Sequence, residues 1–108
     1  MNAIGIRQHI IDACLEMNQN GLNSGKSGNI SVRHNGGMVI TPSGVDYREL
    51  KPSSLVLTAL DGQYEGPLKP SSEWRMHSDI YRNFGDAGAV VHAHPPYATA
   101  LACQRRGS

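Results

Sequence analysis

Two histidines separated by a single residue lie at the end of an apolar stretch of the chain, Ala89-Val90-Val91-His92-Ala93-His94-Pro95. Its small and β-branched residues predict a buried strand, and the final proline would end it because proline has no backbone N–H to donate. Side chains at positions i and i+2 of a strand share one face, with Cα atoms roughly 6–7 Å apart. His92 and His94 could therefore bind one metal ion. Burial of both rings in the core is the alternative interpretation, and two ligands alone do not complete a site.

A third ligand could come from Glu73, which lies near the predicted start of a helix. Ser72 is a suitable N-cap, which would place Glu73 in the first turn, where the helix dipole favours a carboxylate. The pattern predicts that this helix runs to about Asn83 and ends before Gly85. Zinc sites in enzymes take three protein ligands and leave one position for water or substrate. His77, four residues further along the same helix face, could join them.

Each of these helix residues has an alternative interpretation that involves no metal. Glu73 could be a surface acid at a favourable helix end. His77 could be a helix residue that packs under the sheet or forms hydrogen bonds there.

Three short segments offer hydroxyl or amide donors at the predicted ends of strands and helices. They are Ser27-Gly28-Asn29, Thr41-Pro42-Ser43-Gly44 and Pro70-Ser71-Ser72. Glycine in the first two lets backbone N–H groups approach a ligand, and the third stands at a helix N-terminus, where phosphate is favoured. Taken singly, each is an ordinary turn. Their recurrence beside a possible metal site predicts a cradle for a small sugar phosphate.

The elements that must position these residues alternate between hairpins and helices. Helical periodicity covers Asn2 to Asn20, and Asn35-Gly36-Gly37 is a hairpin signal between two alternating segments. The remaining expected elements are a strand at Leu55–Thr58, the helix behind Ser72, the His-x-His strand, and a last helix from Pro96 to about Arg105. This order predicts an α/β fold with helices packed on a largely antiparallel sheet.

Composition limits the class of protein. The chain has 108 residues, which is room for one domain, and a net charge of +1 with acids and bases interspersed. The sequence has no basic stripe with interleaved aromatics, so we do not expect a nucleic-acid partner. No apolar run is long enough to span a membrane. The first residues do not resemble a signal peptide, so we expect a cytoplasmic protein. Cys14 and Cys103 are expected to be reduced and buried.

Four motifs in the right order make the chain resemble the class II aldolase/adducin family along essentially its whole length. They are Gly28-Asn29-Ile30-Ser31-Val32, Ile40-Thr41-Pro42-Ser43-Gly44, Pro70-Ser71-Ser72-Glu73-Trp74-Arg75-Met76-His77 and Val90-Val91-His92-Ala93-His94. The resemblance implies a three-layer α/β/α fold with a mainly antiparallel sheet. Family members are about twice this long, so residues 1–108 would be the amino-terminal part of such a domain, truncated before a third zinc histidine. We therefore expect reduced or absent activity from this chain alone.

The resemblance also implies a chemistry, the aldol cleavage or condensation of a sugar phosphate of the L-fuculose 1-phosphate type. Glu73, His92 and His94 would bind Zn²⁺, which would polarise the ketone of dihydroxyacetone phosphate. Glu73 would also act as the general base, taking a carbon-bound proton to leave an enediolate that attacks an aldehyde such as lactaldehyde. The phosphate would be held by Gly28, Asn29, Ser43, Gly44, Ser71 and Ser72.

Other functions are compatible with the same motifs. A pentulose-phosphate epimerase or a sugar-phosphate dehydratase would use the same histidines and carboxylate. An adducin-like binding module would keep the fold without the metal chemistry, and the bound zinc per chain would distinguish it from an enzyme. A further alternative is a remnant that folds only with another polypeptide. The parent enzyme is expected to be a homotetramer with active sites between subunits.

Overall fold

The computed structural model describes residues 3–20, 28–93 and 100–105. Two helices and five strands follow one another along these residues, with two short 3₁₀ turns, Tyr47–Glu49 and Pro52–Ser54, before the third strand. In chain order the elements are α1 (Ala3–Gln19), β1 (Asn29–His34), β2 (Gly37–Ile40), β3 (Val56–Thr58), α2 (Trp74–Asn83), β4 (Ala87–Ala93) and β5 (Ala100–Arg105).

The described strands form one antiparallel sheet in the order β3-β2-β1-β4-β5. The turn between β1 and β2 uses Asn35 and Gly36, both with positive φ (49° and 78°). Two such residues give the turn type whose twist matches that of the flanking strands, so the hairpin signal in the sequence is confirmed. This turn fixes the register of the hairpin, with His34 opposite Gly37 and Ser31 opposite Ile40.

The sheet lies between two apolar clusters, one under each helix. The cluster on the α1 face contains Ile6, Ile10, Ile11, Cys14, Met17, Ile30, Val39, Tyr47, Leu55 and Ala93. The cluster on the α2 face contains Met38, Ile40, Val56, Tyr81, Ala87 and Val90, with Trp74 and Ile80 packed against it. Successive residues of β2 alternate between the two clusters, as the pleat requires. The predicted fold, helices on a mainly antiparallel sheet in three layers, is therefore confirmed.

The prediction of a last helix is wrong over the residues that the structure describes. Ala100–Arg105 is strand β5, and it pairs antiparallel with β4 so that Ala93 lies opposite Ala100. Its sequence, ALACQR, is rich in good helix formers, but propensity is a weak prior and the free edge of β4 offers a full ladder of hydrogen bonds. The beginning of the expected helix, residues 96–99, lies outside the described residues, as does the strand-ending Pro95.

Two composition-based expectations can be followed into the structure. Neither helix in the described part of the chain is long and apolar enough to cross a membrane. Cys14 is a free, buried thiol, as expected, whereas the side chain of Cys103 is outside the described part.

Candidate functional site

The candidate site lies at one end of the sheet, where three strand termini meet. In an antiparallel sheet, the start of one strand adjoins the ends of its neighbours. The start of β1 therefore adjoins the ends of β2 and β4, and Asn29 is the direct partner of His92. The sheet thus brings together segments that are far apart in sequence.

Backbone hydrogen bonds join the segment after β2 to the segment before α2. The Ser71 N–H donates to the Thr41 carbonyl (2.9 Å), and the Ser43 N–H donates to the Lys69 carbonyl (3.0 Å). The Thr41 N–H in turn donates to the Ile30 carbonyl of β1 (3.0 Å). Backbone hydrogen bonds therefore connect the described parts of the three segments predicted to form a phosphate cradle, residues 28–29, 41–44 and 70–72, the first of them through the adjoining Ile30. Ser27 lies outside the described residues.

The start of α2 differs by one residue from the prediction. Trp74 is the first helical residue and Glu73 occupies the N-cap position, so Ser72 is not the cap and Glu73 precedes the first turn. The reason is local: the Ser71 hydroxyl accepts a hydrogen bond from the Glu73 N–H (3.2 Å), and the Ser71 carbonyl accepts one from the Trp74 N–H (3.0 Å). A serine that bonds two residues ahead forms a turn of its own and delays the helix.

The structure brings the Glu73 carboxylate against the His92 ring, with Oε2 in contact with Nδ1. The two side chains are 34 % and 11 % exposed, so the pair is partly shielded from water. His92 shares its face of β4 with Val90 and therefore lies on the α2 side, where Glu73 also lies. His94 falls outside the described residues, and its position stays a prediction.

A carboxylate and an imidazole in contact are two of the ligand types that zinc takes in enzymes. Within the described ranges, no group of three histidine, cysteine or acidic side chains is arranged to hold a metal ion. The pair therefore fits part of a zinc site, and a further ligand must come from elsewhere.

His77, the other possible ligand on α2, is bound within the protein. It is fully buried, its Nε2 contacts the Asn29 Oδ1, and its Nδ1 lies 2.6 Å from the Ser31 hydroxyl. Burial, and then the positive charge that His92 can carry, lower the pKa of His77 to about 4. A neutral ring with both nitrogens hydrogen-bonded has no lone pair left for a metal, so the hydrogen-bonded alternative is the one observed.

The predicted phosphate-binding residues divide into a buried base and an exposed rim. Gly28, Asn29 and Ser71 are buried, with Asn29 only 3 % exposed. Ser43, Gly44 and Ser72 are exposed. Hydroxyl, amide and backbone N–H donors with no acidic group among them can accommodate an anion.

Two residues of this region were missed in the sequence. Ser31 and Tyr81 complete a buried hydrogen-bonded row with Asn29 and His77, since the Ser31 hydroxyl also lies 2.7 Å from the Tyr81 hydroxyl. Spacing could have found them: Ser31 is two residues after Asn29 on a strand, and Tyr81 is four residues after His77 on a helix.

Comparison with known proteins identifies the family. Residues 8–108 match the class II aldolase and adducin N-terminal domain. The chain is 48% identical over 103 residues to the 5-methylthioribulose-1-phosphate/5-deoxyribulose-1-phosphate aldolase of Rhodospirillum rubrum, covering 95% of this chain and 47% of that protein. It is 46% identical over 101 residues to the L-fuculose phosphate aldolase of Escherichia coli K12, with 94% and 47% covered.

Solved structures give the same result for the fold. An L-fuculose 1-phosphate aldolase superposes with a TM-score of 0.81 and 38% identity, over 86% of this chain and 45% of that one. The L-fuculose-1-phosphate aldolase of Thermus thermophilus gives 0.73 and 36%, over 84% and 47%. The chain spans about half the length of the relatives that it matches. It has the class II aldolase fold and belongs to the class II aldolase and adducin N-terminal domain family.

Proposed function

We propose that the protein containing this chain is a metal-dependent aldolase that cleaves a ketose 1-phosphate into dihydroxyacetone phosphate and an aldehyde. The observation that carries the proposal is the contact between Glu73 and His92 beside a framework of neutral hydrogen-bond donors. The names of the two relatives support the same substrate class, because both act as aldolases on a sugar phosphate.

The donor framework would bind the phosphate. Asn29 and Ser71 at its base would contribute an amide and a hydroxyl, and Ser43, Gly44 and Ser72 on the rim would contribute hydroxyl and backbone donors. Gly28 would allow close approach of the chain to the anion. A phosphate held by fixed neutral donors would position the sugar carbons next to Glu73.

Glu73, His92 and His94 would hold the metal ion, and zinc suits this set of oxygen and nitrogen donors. A divalent cation there would polarise the carbonyl and hydroxyl oxygens of the substrate. The chemistry that this chain itself would supply is proton transfer by the Glu73 carboxylate.

In the condensation direction, the Glu73 carboxylate would take a proton from the carbon next to the ketone of dihydroxyacetone phosphate. The electron pair left on that carbon then forms the new bond to the aldehyde carbon, and a proton returns to the aldehyde oxygen. Cleavage is the reverse. An aldehyde such as lactaldehyde would give a product of the L-fuculose 1-phosphate type.

The proposal is tested by bound zinc and by the release of dihydroxyacetone phosphate from L-fuculose 1-phosphate and 5-deoxyribulose 1-phosphate. Both are measured on this chain and on the longer protein that contains it. We expect turnover and zinc binding in the longer protein and weaker zinc binding, with reduced or no turnover, in the chain of 108 residues.

Matched variants of the longer protein separate the role of the site from general damage. Glu73→Gln should lower kcat by at least about 100-fold, since general acid–base groups contribute roughly 10²–10⁴ in rate. Glu16→Gln, an exposed acid on α1, should leave kcat within about twofold. If the longer protein bound no zinc and showed no turnover, the aldolase proposal would be contradicted and an adducin-like module would be favoured.

A further inference from the structure

A row of four buried polar side chains runs from the candidate site into the layer between the sheet and α2. The row is Asn29, His77, Ser31 and Tyr81, and each member is 3 % exposed or less. The contacts are Asn29 Oδ1 with His77 Nε2, His77 Nδ1 with the Ser31 hydroxyl (2.6 Å), and that hydroxyl with the Tyr81 hydroxyl (2.7 Å). The row begins at the residue opposite His92.

The protons in such a row can point only one of two ways. A neutral imidazole has one N–H and one acceptor nitrogen, and burial keeps His77 neutral at pH 7. If Nε2 carries the proton, His77 donates to the Asn29 carbonyl oxygen and accepts from Ser31. If Nδ1 carries it, His77 donates to Ser31, and the Asn29 amide must turn over so that its NH₂ group donates to Nε2.

The direction of the row therefore decides which end of the Asn29 amide is left for a ligand. In the first arrangement the NH₂ group is left and can donate to an anion. In the second the carbonyl oxygen is left, and it would repel an anion.

We propose that the row runs Tyr81 to Ser31 to His77 to Asn29, and that His77 is a positioning residue which holds the Asn29 NH₂ group toward the phosphate of the substrate. This inference deepens the proposed function and depends on its phosphate site. It assigns the Nε2–H tautomer to His77. It also assigns a role in orienting the Asn29 amide to His77, Ser31 and Tyr81, which do not themselves touch the phosphate.

Arg33 supports this direction from the far end of the row. Its guanidinium lies 4.7 Å from the centre of the Tyr81 ring. Hydrogen bonds to the carbonyls of Ala87 (2.8 Å), Tyr81 (2.9 Å) and Phe84 (3.0 Å) fix it there. A cation over a phenol ring draws electron density from the hydroxyl oxygen, which makes Tyr81 a better donor and a poorer acceptor. Tyr81 then donates to Ser31, which leaves the Ser31 proton for His77.

The tautomer can be measured without any assay of function. In the wild-type chain labelled with ¹⁵N-histidine, protonated and unprotonated ring nitrogens give well-separated ¹⁵N signals at pH 7. The signals of His77 are assigned by their loss in His77→Gln. We expect Nε2 to be protonated and Nδ1 unprotonated, and a protonated Nδ1 would overturn the proposal.

The positioning role is tested with inorganic phosphate as the probe. His77→Phe removes the N–H group that donates to the Asn29 carbonyl oxygen, so the Asn29 NH₂ group is no longer held toward the phosphate. Loss of the hydrogen bond from that NH₂ group to the charged phosphate should weaken phosphate binding by about tenfold. His77→Gln keeps an N–H donor at the position of Nε2 and should stay within about threefold of the wild type. Equal affinities in all three chains would contradict the positioning role.

The failure of this inference and the failure of the proposed function give different results. If the wild-type chain binds phosphate and His77 carries its proton on Nδ1, only the direction of the row is wrong. If the wild-type chain binds no phosphate, the proposed phosphate site itself is contradicted, and the positioning role with it. Should His77→Phe fail to fold, the tautomer measurement on the wild-type chain still decides the direction.

Discussion

Burial determines how His77 responds to pH. Its pKa is lowered from 6.5 to about 4, so between these values the unfolded chain binds a proton that the folded chain does not. Stability contributed by the neutral ring is therefore complete above pH 6.5 and is lost as the pH falls toward 4. We expect this group to remove up to about 3 kcal/mol of the free energy of unfolding once the pH is below both values.

The measurement is urea unfolding of the wild-type chain and of His77→Gln at a series of pH values from 7 to 4. Other groups also titrate in this range, so the difference between the two curves is the quantity of interest. The wild-type curve should fall more steeply than that of the variant. Parallel curves would show that His77 is not buried as a neutral ring.

Cys14 should be chemically inert in the folded chain. Burial raises the pKa of its thiol to about 12, despite the opposing effect of the Tyr47 hydroxyl beside it. At pH 8 only about 1 in 10⁴ such groups is the reactive thiolate. In Cys103→Ser, where Cys14 is the one remaining cysteine of the sequence, a thiol reagent should label the protein only after urea is added. Labelling in native buffer at the rate of a free thiol would contradict this burial.

The junction between the β3 region and α2 depends on a glycine. Gly62 has a φ of +96°, and a Cβ atom there would lie 2.6 Å from the ring of Trp74, the first residue of α2. Gly62→Ala should therefore combine backbone strain of about 1 kcal/mol with a steric cost of about 1–3 kcal/mol. Urea unfolding measures the loss, and fluorescence of Trp74, the single tryptophan, should change as its ring is displaced.

Gly66→Ala is the matched control for this prediction. Gly66 has a similar φ of +98°, but a Cβ atom there would meet nothing within 4 Å. Gly66→Ala should therefore lower the free energy of unfolding by the backbone strain alone, about 1 kcal/mol, and should leave the Trp74 fluorescence unchanged. Equal losses of stability in the two variants would show that the Trp74 ring moves aside at little cost.

Elements with strong local signals could be predicted from the sequence, and those decided by distant contacts could not. The periodicity of α1 and the Asn35-Gly36 turn are local, and both elements appear where expected. Strand β5 is the opposite case, because its residues favour a helix and pairing with β4 determines its structure. The one-residue shift at the start of α2 has a local cause, the hydrogen bond to the Ser71 hydroxyl, but the sequence offers two adjacent serines, Ser71 and Ser72, as candidates for this role.

The same distinction applies to the candidate site as a whole. Residue types and the i, i+2 spacing indicated His92, yet contact with Glu73 depends on how α2 packs against the sheet, which no local pattern specifies. For His77 the spacing was compatible with two roles, that of a metal ligand and that of a buried residue held by hydrogen bonds. Only the fold, which places Asn29 and Ser31 against its two nitrogens, distinguishes them.

Because Glu73 precedes α2 and His92 lies near the end of β4, a cation bound between them would link the helix layer to the sheet. Such a ligand binds the folded chain far better than the unfolded one, so it must raise the stability of the whole molecule. At free zinc about 100-fold above its dissociation constant, the free energy of unfolding should rise by about 2.7 kcal/mol, and a chelator should reverse the gain. Urea unfolding with and without zinc measures this increase.

The variants that test this linkage differ in where a carboxylate is lost. Glu73→Gln should abolish most of the zinc-dependent gain, because the amide keeps the size of the side chain but not its charge. Glu16→Gln removes an exposed acid on the outer side of α1 and should keep the full gain. If zinc stabilised all three chains equally, the metal would bind somewhere other than between α2 and β4. The contact of Glu73 with His92 would then be only a contact between a carboxylate and an imidazole at that end of the sheet.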